Sequence, residues 1–352
     1  MIRLCVDARM FSSSGIGTCI RHLIPYVSRP PFDTTFLVDR HAVFPGKKIP
    51  FQAPIYSLSE QAQFPWKIPP CDLFWSPHYN VPLLPIKSRI RVVTIHDMCH
   101  LAMPFSRGKK MVAKQLLRYA YKKSEKVITD SQFSRMEIQK YLGNSSGKID
   151  VIYPGVDLEE FSPLQEIEAF KNKHNLGDQI FLFVGNFKAH KNLEILLKAF
   201  ELLHRSSLQL VLVGKKGDPK ISYLIQNSRC KERIILLGEV SQEDLPLLYA
   251  SASAFIFPSL YEGFGLPPLE AMACGCPVIA SQAASIPEVC RDAALYFSPH
   301  SEIELAEQME RIIDDRSLRD ELIAKGLDRC REFSWEKTGT AYRTLFERLC
   351  TG

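Results

Sequence analysis

Residues Ser259 to Ser281 read Ser-Leu-Tyr-Glu-Gly-Phe-Gly-Leu-Pro-Pro-Leu-Glu-Ala-Met-Ala-Cys-Gly-Cys-Pro-Val-Ile-Ala-Ser. The run before them, Ala254-Phe255-Ile256-Phe257-Pro258, is short and apolar, which predicts a buried parallel strand delivering a glycine loop at its carboxyl end. Pro267 and Pro268 stiffen the entry to a short helix, so Glu262 falls in the loop and Glu270 on the helix behind it. Gly263 and Gly265, flanking Phe264 and followed by Leu266, let backbone approach a ligand, and open N–H groups at the helix start suit an anion. The plain alternative is two solvated surface acids. Open α/β sheets collect their ligands at this end of the strands, which favours a site.

The same rhythm extends along the chain. A strand at Ile2 to Val6 runs through Asp7-Ala8-Arg9 into the loop Ser12-Ser13-Ser14-Gly15-Ile16-Gly17 and a helix from Thr18 to Val27, the usual opening of a doubly wound half. Gly15 and Gly17 alone are weak evidence of phosphate binding, because the third glycine of a dinucleotide fingerprint is missing. Further strands are expected at Thr35 to Val38, Leu73 to Ser76, Arg91 to Ile95 and Lys126 to Asp130. His96-Asp97 and Asp130-Ser131 then stand at strand ends. Val151 to Asp157 ends a strand in a Pro-Gly turn and reads as a hinge, followed by a helix-like Leu158 to His174. Strands resume at Ile180 to Val184, Leu208 to Val213, Ile234 to Leu237, Ala254 to Phe257 and Pro277 to Ala280, with a loop Gly185 to Asn192 carrying Lys188 and Lys191. A final helix runs from Trp335 to about Leu349.

At 352 residues the chain exceeds one ordinary core, so two α/β domains of roughly 150 to 180 residues are expected. No window reaches the about 18 uncharged apolar residues of a membrane span, and Met1 to Asp7 has a strand's character and no leader's, which predicts a cytoplasmic chain. Ten scattered cysteines without a Cys-x-x-Cys pair read as reduced core residues. His96 and His100 lack a third ligand at zinc spacing, so no metal is expected. Residues 1 to 155 hold 22 Lys and Arg against 10 Asp and Glu, net +12, whereas residues 156 to 352 are net −7. The first half therefore faces something anionic: nucleic acid, a lipid surface or a phosphorylated acceptor. Residues 107–126 carry eight basic side chains and one acid, with Met111, Val112, Leu116, Leu117 and Ala120 near helical spacing. They read either as an amphipathic helix on anionic lipid or as a core-facing helix with a charged outer side. Nucleic acid is disfavoured, since no aromatic stacking platform interleaves the basic residues.

The Ser259 to Ser281 stretch resembles the donor-site signature of retaining glycosyltransferases of family 4, and the resemblance runs from Asp7-Ala8-Arg9 to Phe333-Ser334-Trp335, densest from Gly238 to Val289. It implies the GT-B fold: two Rossmann-like doubly wound domains facing each other across a cleft. Residues 1–155 would form the acceptor-side domain, 156–334 the nucleotide-sugar donor domain, and 335–352 a helix returning to the first. It implies a nucleotide-sugar donor and a polysaccharide, lipopolysaccharide or lipid-linked acceptor; the lipid reading of residues 107–126 would add peripheral contact at the inner face of the cytoplasmic membrane. Family members with these motifs often use GDP-mannose, and UDP-sugars share the framework. By the resemblance Glu262 contacts the donor sugar and Glu270 the ribose hydroxyls, while Lys191, assisted by Lys188, binds the diphosphate beside the Gly15–Gly17 loop. His96 would contact a sugar hydroxyl or support positive character in the transition state, with Asp97 and His78 on the acceptor side. Retention implies front-side attack, with a phosphate oxygen taking the proton, and the lack of an Asp-x-Asp triplet agrees with metal independence. A noncatalytic sugar-nucleotide or nucleic-acid binder and an epimerase of the same fold are the rival classes.

Overall fold

The protein is described by a computed structural model covering residues 1–13, 15–39, 44, 46–164 and 167–352; Ser14 of the first glycine loop lies outside the described residues. The chain divides into two compact units, Met1–Gly155 with Trp335–Gly352, and Val156–Ser334. Among the described residues no helix is long and apolar enough to cross a membrane.

The first unit is built on seven parallel strands: β1 (Ile2–Asp7), β2 (Phe32–Val38), β3 (Lys48–Pro50), β4 (Cys71–Ser76), β5 (Ser88–Thr94), β6 (Lys126–Thr129) and β7 (Ile149–Val151). Their order is β3-β2-β1-β4-β5-β6-β7, so the direction of winding reverses between β1 and β4. The second unit repeats the plan with β8 (Gln179–Val184), β9 (Leu208–Val213), β10 (Ile234–Gly238), β11 (Ala254–Phe257), β12 (Val278–Ser281) and β13 (Ala294–Phe297), ordered β10-β9-β8-β11-β12-β13. Here the reversal falls between β8 and β11. All pairings are parallel, and the near-continuous apolar strands are what a sheet covered on both faces requires. In open α/β sheets a reversal opens a crevice at the strand carboxyl ends.

Among the described residues of the segment expected to be helical from Leu158 to His174, only Glu168–Lys173 is helical; the Asp157 side chain, which accepts the N–H groups of Glu159 and Glu160, holds the residues just after it in a turn. Short strands β3 and β13 were not expected. They are edge or near-edge strands of three or four residues, too brief for a period to show. All ten cysteines are free thiols, eight of them buried.

The last helix, Trp335–Thr351, packs within the first unit against the helix Ile16–Val27. Trp75 of β4 lies 5.1 Å from the Tyr342 ring and 5.5 Å from that of Phe346, while its indole N–H donates to Thr94 Oγ1. His22 and Trp335 stack at 4.5 Å. Gly339 permits this approach, because a Cβ there would fall 2.2 Å from the Tyr26 ring. Gly339→Ala is expected to cost about 1–3 kcal/mol through overpacking and to lower the thermal midpoint by several degrees; an unchanged melting curve would refute the contact.

Candidate functional site

In the second unit, β11 is fully buried and delivers the loop to the reversal between β8 and β11. Gly265 adopts φ +121, a conformation that only glycine takes comfortably, and the helix Leu266–Ala273 starts directly after it with proline in its first turn. Ser285 fastens the loop, its hydroxyl donating to the carbonyls of Glu262 (2.9 Å) and Phe264 (2.8 Å). The neighbouring loop is stitched on by Leu260 N–H to the His190 carbonyl at 2.7 Å. Asn192 then turns left-handed (φ 55) and donates to the Pro299 carbonyl, and the helix Leu193–Glu201 begins.

These two loops bring Lys191 and Glu262 together: Nζ donates to Oε1 at 2.6 Å, with 13% and 15% of the side chains exposed. The ammonium also stands 5.4 Å from the centre of the Phe257 ring. Lys188 is exposed on the same loop. A half-buried pair of this kind offers an entering anion a fixed cation, and offers a hydroxyl a fixed carboxylate. Phe264 turns inward, edge-on to Phe333 at 5.5 Å, so it holds the loop's shape.

Glu270 lies one turn behind the helix start, where Tyr249 donates its hydroxyl to Oε2 at 3.1 Å. Burial pushes the carboxyl up to about 7; the Tyr249 bond opposes this, and the charge of nearby Glu160 adds to it. Glu160 was not anticipated, since it follows the chain's hinge and meets Glu270 only through the fold.

In the first unit, β1 ends in Asp7 and the chain returns Arg9 over it. The guanidinium donates to both Asp7 oxygens (Nε 2.8 Å, Nη2 2.6 Å), pairs with Glu60 Oε1 at 2.6 Å, and lies on the Phe51 ring at 4.1 Å. All three charged side chains are at most 3% exposed. Burial resists ionisation of Asp7, but Arg9 and His78 outweigh it and hold the carboxyl well below the ordinary range. Asn80 Nδ2 donates to Glu60 Oε1 and the Tyr56 N–H to Oε2. Gly15 stands open at φ +63, with nothing within 4 Å of where its Cβ would be. Gly17 is buried, and its missing side chain makes room for the carbonyls of Met10 and Phe11, so its smallness serves packing.

Two of the expected residues have their ring nitrogens engaged within the protein. His78, only 1% exposed, accepts the Asn80 N–H at Nδ1 and turns Nε2 toward Asp7 at 3.5 Å, so it is sealed from any acceptor. His96 spends both ring nitrogens: Nε2 donates to the Pro77 carbonyl at 2.9 Å and Nδ1 meets Asp130 at 2.6 Å. The ring thus stands as an ion pair with the Asp130 carboxylate, 18% of its side chain exposed. Asp97 lies half-buried at the β5 end and accepts the Cys99 N–H at 2.8 Å. His96 is in a loop and His100 on the short helix Cys99–Ala102, so they do not share one helical face. Among the described residues no group of three or more His, Cys, Asp or Glu is arranged to hold a metal.

Burial lowers the His96 pKa, but Asp130 and the Pro77 carbonyl raise it further, leaving it at about 9. A folded pKa above the unfolded value stabilises fully below about pH 6.5 and is lost as pH climbs through 9. The wild type is therefore expected to exceed His96→Gln in stability by up to about 3 kcal/mol near pH 6, a gap that closes above pH 9. Thermal unfolding across this range checks it; a gap independent of pH refutes the ion pair.

Two family profiles cover most of the chain: "Glycosyltransferase Family 4" matches residues 15–160 and "Glycosyl transferases group 1" residues 165–329. The chain is 34% identical over 276 residues to O-antigen chain mannosyltransferase B of Escherichia coli, covering 74% of itself and 72% of that protein. It is 33% identical over 227 residues to O-antigen chain mannosyltransferase RfbU of Salmonella typhimurium, covering 64% of itself and 60% of that protein. In structure it resembles Anabaena HepE, solved in complex with UDP-glucose, with TM-score 0.82 over 99% of this chain and all of that one, at 18% identity.

Proposed function

Since the chain belongs to the group 1, family 4 glycosyltransferases and has their GT-B fold of two parallel-sheet α/β units, we propose that it transfers mannose from GDP-mannose, with retention, to a glycan or lipid-linked acceptor of polysaccharide or lipopolysaccharide assembly. The observation that carries the donor half is the Lys191–Glu262 pair at the reversal of the second sheet, beside a helix start. Mannose and the GDP nucleotide are favoured over a UDP-sugar because the two curated relatives described above are mannosyltransferases of O-antigen synthesis.

Lys191 and the Leu266 N–H at the helix start, where Pro267 and Pro268 carry no amide hydrogen, take the diphosphate, with Lys188 at the outer edge, and stabilise charge on the leaving oxygens with little rearrangement. Glu262, released from Lys191 as phosphate enters, accepts from hydroxyls of the sugar; Glu270 accepts from the ribose. The acceptor hydroxyl attacks from the side of the leaving group and yields its proton to a phosphate oxygen, so neither a protein base nor a metal is required. His96, held by Asp130, shapes the first unit's strand ends without exchanging a proton. His78 and Asp97 shape the acceptor side, His78 through its loop.

Met111 and Val112 are 64% and 59% exposed on the basic helix Arg107–Lys123, whereas Ala113, Leu117, Ala120 and Tyr121 face the core. That division supports peripheral contact with anionic lipid at the inner face of the cytoplasmic membrane. Flotation with liposomes is expected to rise with anionic lipid content and to fall for Met111→Ser with Lys114→Gln; equal flotation on neutral vesicles sinks it.

The donor reading predicts that Lys191→Ala weakens GDP binding about tenfold or more. Glu262→Gln is expected to retain or tighten GDP binding, because a competing carboxylate is gone, while transfer from GDP-mannose collapses. GDP affinity in the wild type should rise with pH as Glu270 ionises near 7, and Glu270→Gln should abolish that dependence. Calorimetry on each variant, with product anomers assigned by NMR, tests these points. Preference for UDP-glucose turnover or an inverted product overturns the corresponding part.

A further inference from the structure

Resting on the proposed transfer to a glycan, we infer that Tyr56 and Tyr79 form a stacking platform for a pyranose ring of the acceptor, held in place by the buried Arg9 network beneath them. Tyr56 has a left-handed backbone, φ 68, yet 51% of the residue is exposed. Nothing in the fold needs an aromatic side chain there, and glycine or asparagine would take this backbone with less strain. The conformation is imposed from below: the Tyr56 N–H donates to Glu60 Oε2 at 2.8 Å, and Glu60 is fixed by Arg9 and Asn80.

Tyr79 is clamped on both sides. His78 and Asn80 are each 1% exposed, and the Ser76 hydroxyl bonds to the carbonyls of both, at 2.8 and 3.1 Å. The Asn80 N–H closes back on His78 Nδ1. One charged network thus sets both tyrosines, whose rings lie 5.6 Å apart at 36°. The row continues from Tyr79 to His100 at 5.8 Å and from His100 to Phe105 at 5.5 Å, the last ring 40% exposed. Asp97 lies near enough to Tyr79 to add to the rise in its phenol pKa that burial begins.

Stepped ring faces, each about as wide as a sugar ring, with hydroxyls and a carboxylate at their margin, match a pyranose, which presents a C–H face to an aromatic ring and hydroxyls at its rim. An acyl chain would cover Asp97 and the phenol hydroxyls without bonding them, and an anionic headgroup would be repelled by Asp97. The position also suits an acceptor, since all these residues follow β1, β3, β4 and β5 at their carboxyl ends.

The test uses the full chain with two probes, GDP and linear α-linked mannotriose, titrated separately by calorimetry. Tyr56→Gly and Tyr79→Ala are expected to lose about tenfold or more in mannotriose affinity and to bind GDP as the wild type does. Tyr79→Phe, which keeps the ring, should retain most of it. Tyr56→Gly relieves the backbone, so its melting temperature should not fall, which separates a lost platform from a lost fold. Unchanged mannotriose affinity in the variants, or no saturable mannotriose binding by a wild type that binds GDP, overturns the platform. So does a loss of anionic-vesicle binding in the variants with mannotriose affinity intact, which would assign the rings to lipid. A wild type that binds mannotriose through these tyrosines but fails to bind GDP leaves the platform standing and removes the donor reading instead.

Discussion

A guanidinium almost wholly shielded from solvent governs the first unit. Arg9 stands between the carboxylates of Asp7 and Glu60, all three nearly sealed, with the Phe51 and Phe64 rings against its guanidinium. Removing one partner from such a set leaves a charge without compensation, a far larger loss than the net worth of the intact group. The set is therefore a constraint of geometry more than a source of stability. Through Glu60 and Asn80 it fixes loops that follow three different strands, and those loops carry the polar and aromatic side chains at the strand ends.

The second unit solves the same problem with less burial. Lys191 and Glu262 remain partly open, and each neutralises the other in the absence of a ligand. A fully buried pair would be too costly to separate; a fully exposed one would be screened and mobile. The rigid parts are instead the hydroxyl ties from Ser285 and the left-handed corner at Asn192, which spend protein bonds on backbone so that the charged heads stay available. Glu270 shows the cost of this economy, since an acid kept ready among apolar neighbours is pushed toward its neutral form.

Much of this was legible in the order of residues. The apolar run before Pro258, the glycines, the paired prolines and the spacing of Glu262 and Glu270 predicted a strand, a loop and a helix where the structure has them. The strand and helix alternation predicted two parallel sheets. What the sequence hid was partnership at long range. Glu60 sits in a polar helix and looks like a solvated surface acid, yet it is 0% exposed because Arg9 meets it there. His96 looked available until Asp130 and the Pro77 carbonyl claimed its nitrogens, and His78 until Asn80 and Asp7 enclosed it. Periodicity reports which face of an element is apolar; it carries no information on which distant polar group will be waiting.

The first unit is discontinuous: its sheet comes from the start of the chain and its closing helix, with Tyr342 and Phe346 against Trp75, from the end. On a ribosome the intervening unit emerges whole and is free to fold while the earlier one still shows an uncovered aromatic patch. The patch is shielded only once the final turns have left the exit tunnel. During that interval a nascent chain exposes surface that chaperones bind and that neighbouring chains can stick to. Loss of the helix that carries Tyr342 and Phe346 would thus act on strands translated long before it.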